Sequence, residues 1–123
     1  MAKKILLVDD SATSRLANRM LFSGHKNYEL ISACDGKDGV EAARRERPDL
    51  ILMDIEMPRM SGLEACRILK QDEKTKKIPI VLLTMRGETE WVEQGYANGC
   101  NDFLTKPVNE KQLIAVLKAQ LGE

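Results

Sequence analysis

The stretch Leu50-Ile51-Leu52-Met53-Asp54-Ile55-Glu56-Met57-Pro58-Arg59-Met60-Ser61-Gly62 holds a strand, a turn and the start of a helix in thirteen residues. Its first four residues are apolar without alternation and too few for a helix, the pattern of a strand covered on both faces. Asp54 ends that run. Pro58 then restricts the loop, and Gly62 frees the backbone where the next element begins. Ser61-Gly62-Leu63-Glu64 has the spacing of a capping box, and Leu63, Cys66 and Leu69 follow at helical spacing.

The same alternation extends in both directions. Ile5–Val8 and Ile80–Leu83 are further continuous apolar runs, and Tyr28–Ala33 and Asp102–Leu104 are weaker strand segments. Between them, Leu16, Met20 and Leu21 share a helix face after Ser11, and Val40 and Ala43 do so after Asp35. Arg47-Pro48 stops the second helix, because the residue before a proline is pushed out of the helical region. Asn109 with Gln112 starts a last helix carrying Leu113, Ile114, Leu117 and Leu121. Glu88–Asn98 makes the poorest helix, with Gly95 inside it and Gly99 at its end. Strands alternating with helices need crossover connections, so residues 1–123 are expected to form one α/β domain: a doubly wound parallel sheet with helices on both faces.

Composition narrows the function classes. The chain has 123 residues with 19 Lys+Arg against 19 Asp+Glu, a balance that argues against bulk binding of nucleic acid or an anionic membrane. No apolar run approaches the roughly 18–20 residues of a membrane helix or forms a signal peptide, so a cytoplasmic location is expected. Cys34, Cys66 and Cys100 are odd in number and widely spaced, which fits a reducing compartment and small buried apolar residues better than disulfides or zinc. His25 is the only histidine, so a Ser-His-Asp triad is not expected, and Ser11 and Ser61 read as helix caps. Arg44–Arg47 and Lys74–Lys77 read as solvated helix ends and loops.

Doubly wound sheets place ligands at the carboxyl ends of their strands. There the first strand runs into Asp9-Asp10, the third into Asp54, the fourth into Thr84 and the fifth into Thr105-Lys106-Pro107. A single Asp or Thr at such a place is ordinarily a cap or turn residue. Three carboxylates at one edge are different, since like charges raise one another's pKa and need a cation. A hard divalent cation such as Mg²⁺ takes carboxylate, carbonyl and phosphate oxygens, and Lys106 adds a fixed charge. With Thr84 as a donor these are parts for phosphoryl transfer, with a carboxylate nucleophile giving an aspartyl phosphate.

Asp9-Asp10, Asp54 through Gly62, Thr84 and Lys106-Pro107, in this order and spacing, resemble the signature of response-regulator receiver domains of two-component signalling. The resemblance covers essentially the whole chain. It implies a flavodoxin-like fold of five parallel strands in the order 2-1-3-4-5 with five helices. It implies that Asp54 is the phosphoacceptor, supplied by a histidine kinase or a histidine phosphotransfer protein. Mg²⁺, or Mn²⁺ in its place, would be held by Asp10, Asp54 and the backbone carbonyl of Glu56, with Asp9 acting through water. Lys106 would pair with the phosphoryl oxygens and Thr84 would hydrogen-bond to one of them. Phe103 matches the switch aromatic that turns inward with the Thr, and the Lys106-Pro107 bond is expected to be cis. The protein would then be a signalling switch acting on a downstream effector protein rather than an enzyme, with no direct contact to nucleic acid or membrane.

Further expectations concern rate and output. Glu56 and Arg86 match positions where the family tunes loss of the phosphoryl group, and a plain surface ion pair is the competing reading. Glu88–Asn98 with Trp91 and Tyr96, the fifth strand and the last helix are expected to form the partner face. Three alternatives stay open: a receiver cut from a longer regulator with a DNA-binding or enzymatic output, a Mg²⁺-dependent phosphohydrolase with an Asp nucleophile, and a flavodoxin-like nucleotide binder. The last is disfavoured by Asp9-Asp10-Ser11 where a phosphate-binding loop would lie.

Overall fold

The computed structural model describes residues 2–85 and 89–123. Five strands alternate with five helices: β1 Lys3–Val8, α1 Ala12–Leu21, β2 Tyr28–Ala33, α2 Gly36–Glu46, β3 Leu50–Asp54, α3 Gly62–Gln71, β4 Ile80–Met85, α4 Thr89–Ala97, β5 Asp102–Lys106 and α5 Glu110–Leu121. All paired strands are parallel, in the order β2-β1-β3-β4-β5. The expected architecture is therefore the observed one.

Each strand sends alternate residues to opposite faces, and each face has its own core. Ile5, Leu7, Leu50, Leu52, Val81, Leu83 and Leu104 pack with Phe22, which follows α1, and with Leu113 and Leu117 of α5. Leu6, Val8, Ile51, Met53, Ile80 and Leu82 pack with Val40 and Ala43 of α2 and with Leu63, Cys66 and Leu69 of α3. Helix starts follow the caps read from sequence: Ser11, Asp35, Ser61 and Asn109 accept from the backbone N–H groups of Ser14, Asp38, Glu64 and Gln112. Helix α2 ends at Glu46, with Arg47 in the left-handed region at φ 47° and Pro48 beyond it.

Two expectations change, for α1 and for Cys34, while the helix expected around Gly95 is present. Leu16 and Met20 do not face the core: they are 59% and 65% exposed, and the inward side of this segment is formed by Asn18, Leu21 and Phe22. A periodic apolar stripe shows that residues share a face, not that the sheet covers it. Cys34 is exposed, while Cys66 and Cys100 are buried as expected. Helix α4 runs through Gly95 because the glycine makes room: a Cβ there would lie 2.4 Å from Phe103 Cζ and 3.0 Å from Leu82 Cδ1. Among the described residues no helix is long and apolar enough to cross a membrane.

Candidate functional site

Strand register builds the site. Val8 pairs with Met53 and Asp54 with Leu83, so Asp9 stands level with Asp54 just past the end of β1. Alternation then selects a face: Leu50 and Leu52 point toward the α1/α5 core and carry Asp54 to that side, as Leu104 does Lys106. The two side chains meet, with Lys106 Nζ 2.7 Å from Asp54 Oδ2 and 3.4 Å from Asp9 Oδ2. Asp9, Asp10 and Asp54 offer oxygens that all lie within 4.8 Å of one another, Asp9 and Asp54 buried and Asp10 exposed. Lys106 also donates to Ser14 Oγ at 3.3 Å, and the Ser14 hydroxyl donates to Asp9 Oδ2.

Electrostatics splits the two buried carboxylates. Burial would raise Asp9, but the Ser14 hydroxyl, the Ser11 N–H at 3.0 Å and the Lys106 charge outweigh it and hold Asp9 below the usual carboxylate range. Burial and the neighbouring Asp9 push Asp54 up to about 7, against the pull of Lys106. Lys106 is held above its ordinary value: burial pulls it down, and its bonds to the two carboxylates more than offset that. Among the described residues one ammonium, that of Lys106, answers three acids, which leaves the edge short of positive charge. All-oxygen donors at this spacing suit a hard divalent cation such as Mg²⁺.

Thr84 is buried one residue beyond Asp54 in register, and its hydroxyl donates to the Met85 carbonyl at 3.3 Å. Glu56 is exposed and, with Asp54, Ile55, Leu83, Met85 and Lys106, lines a pocket of about 130 Å³. Phe103 is half-buried, its ring 5.2 Å from that of Tyr96 at 62°. The Lys106-Pro107 bond is cis. Arg86 lies outside the described residues, as does Glu88 at the start of the segment assigned to partner binding.

Two residues went unremarked in the sequence. Ser14 stands one helical turn past the cap Ser11, which brings its hydroxyl back over Asp9. Arg15 Nη1 donates to the Asp9 carbonyl at 2.6 Å, fixing the chain as it leaves β1. The spacing from Asp9 was visible, but hydroxyls and guanidinia at a helix start are too common to single out.

Comparison with known proteins agrees with this geometry. The family model described as "Response regulator receiver domain" matches residues 5–118. Protein PilH of Pseudomonas aeruginosa is 38% identical over 119 residues, covering 97% of this chain and 98% of that protein. The polar-differentiation response regulator DivK of Brucella anthropi is 36% identical over 126 residues, covering 100% of this chain and 99% of DivK. The receiver domain of a sensor histidine kinase from Pseudomonas aeruginosa PAO1, solved with a magnesium ion coordinated in its active-site cleft, superposes with a TM-score of 0.90 at 29% identity, each chain covered over 100% of its length. An acidic strand-edge cluster answered by one lysine, on this sheet and across this span of matched sequence, makes the chain a member of the response-regulator receiver family of two-component signalling.

Proposed function

We propose that this receiver switch takes its phosphoryl group on Asp54, using Mg²⁺ and a histidine kinase or histidine phosphotransfer protein as donor. The observation that carries the reading is the Asp54–Lys106–Asp9 contact at the carboxyl edge of the sheet, 2.7 Å and 3.4 Å from one ammonium. Asp54, Asp10 and the Glu56 carbonyl would hold the cation, with Asp9 acting through water. Bound there, Mg²⁺ would neutralise the acids and the incoming phosphoryl oxygens.

The chain's own groups account for the rest. An ionised Asp54 oxygen forms the new P–O bond as the P–N bond to the donor imidazole breaks, its electron pair returning to the ring nitrogen. Lys106 is in place to pair with a phosphoryl oxygen once Asp54 carries the acyl phosphate. Thr84 leaves its Met85 carbonyl partner to donate to another oxygen, and Phe103 repacks against α4 with it. The α4–β5–α5 face would then carry the change to an effector protein. Its half-buried Trp91 and Phe103 and its exposed Tyr96 support that assignment. Glu56 would set how fast water removes the group, together with Arg86. We read residues 1–123 as one such unit, working in the cytoplasm by protein contact rather than as an enzyme with its own substrate.

The reading is tested by incubating the protein with a small acyl-phosphate donor, with and without a chelator. Mg²⁺-dependent uptake of one phosphoryl group per chain, lost to water once the donor is removed, is expected. Continued hydrolysis of phosphate esters would favour the Asp-nucleophile phosphohydrolase instead.

A further inference from the structure

The loop between β3 and α3 has an unusual shape outside the acidic centre. Arg59 adopts φ 67°, and the Met60 N–H donates across it to the Pro58 carbonyl at 2.7 Å. A three-residue turn around a positive φ is a strained form that glycine would adopt more readily. Here an arginine holds it, and its side chain is engaged. Arg59 Nε donates to Asp35 Oδ2 at 2.9 Å, Nη2 donates to the same oxygen, and Nη2 lies 3.6 Å from Asp38 Oδ1. Asp35 is only 6% exposed and also caps α2, its other oxygen accepting from the Asp38 N–H at 2.9 Å.

Neighbouring contacts pin both sides of this turn. A Cβ on Gly36 would lie 2.3 Å from the Met60 carbonyl oxygen, so the loop backbone rests directly on the first turn of α2. At the other end the Gly62 N–H donates to the Ile55 carbonyl at 2.7 Å. The loop is thus fastened at Ile55 and at Arg59–Met60, and Glu56 is suspended between them.

We propose that the Arg59–Asp35 ion pair is a positioning clamp that sets the cation affinity of the site by fixing the backbone at Glu56, without itself touching the cation. The inference rests on the Mg²⁺ reading above and deepens it. It makes α2, an element with no residue in the acidic cluster, a determinant of that site.

Three variants separate positioning from simple stability. Asp35→Asn keeps a competent cap while removing the charge, Arg59→Gly keeps the left-handed turn while removing the clamp, and Arg59→Lys keeps the charge without the fork. Titration of the unphosphorylated protein with Mg²⁺ by calorimetry should show the dissociation constant rising about tenfold in Asp35→Asn and Arg59→Gly, and less in Arg59→Lys. Amide exchange at Gly62 should quicken in the first two, while the urea midpoint of Arg59→Gly stays at or above the parent's. Parent-like Mg²⁺ affinity in both Asp35→Asn and Arg59→Gly overturns the clamp and leaves the metal reading standing. Absence of Mg²⁺ binding by the parent overturns both.

Discussion

Asp54 is a carboxyl group placed where it resists its own ionisation. With its pKa pushed up to about 7, it keeps a proton in the folded state that the unfolded chain gives up near pH 4. The stability this proton lends is fully present below about pH 4 and declines as pH rises to about 7. Asp54→Asn cannot ionise and escapes the decline. Without divalent metal it should therefore match the parent near pH 4 and exceed it above pH 7, by roughly 4 kcal/mol, in urea unfolding. A parent more stable than Asp54→Asn at pH 8 would show that Lys106 fully compensates the charge. The same poise explains why a cation suits this place: binding it to the ionised pair releases the proton that burial retains.

At the scale of elements, the β3-to-α3 passage leaves Gly62 the least room of any described glycine. A Cβ on Gly62 would lie 2.1 Å from the Asp54 carbonyl oxygen, which is backbone and has nowhere to go. Gly62→Ala should therefore cost about 3 kcal/mol of unfolding free energy and shift Asp54 as well, although alanine favours helix; a cost under about 0.5 kcal/mol would refute the contact. Gly95→Ala meets the far ends of two side chains, Phe103 and Leu82, so the ring and the Leu82 methyl can yield. A smaller loss, about 1 kcal/mol, is expected with a clear change in near-ultraviolet circular dichroism as Phe103 leaves Tyr96. The strands were legible because both faces are covered, and caps at Ser11, Asp35, Ser61 and Asn109 were written in residue type. The inward side of α1 was not: Leu16 and Met20 mark a periodic stripe that solvent, not the sheet, receives. The Asp35–Arg59 contact spans 24 residues between two loops, and no local pattern encodes such a pairing.

For the whole molecule, five strands exist in this order to bring distant residues to one edge. Lys106 and Asp9 are 97 positions apart in sequence and 3.4 Å apart in space. The acids, Thr84 and Lys106 were readable as a set because α/β topology delivers strand ends together. Their supports, Ser14 and Arg15, emerged only from side-chain geometry. A ligand held only by the folded edge stabilises the fold by mass action, so saturating Mg²⁺ at a hundred times its dissociation constant should add about 2.7 kcal/mol to the parent. It should add much less to Asp54→Asn, and equal gains in both would place the cation elsewhere. The most direct test of the switch is to locate the phosphoryl group itself. After treatment with a small acyl-phosphate donor and Mg²⁺, peptide mass spectrometry should find one hydroxylamine-labile phosphoryl group on Asp54 and none on the Asp54→Asn protein. Equal labelling of Asp54→Asn, or a label that resists hydroxylamine, would contradict the account.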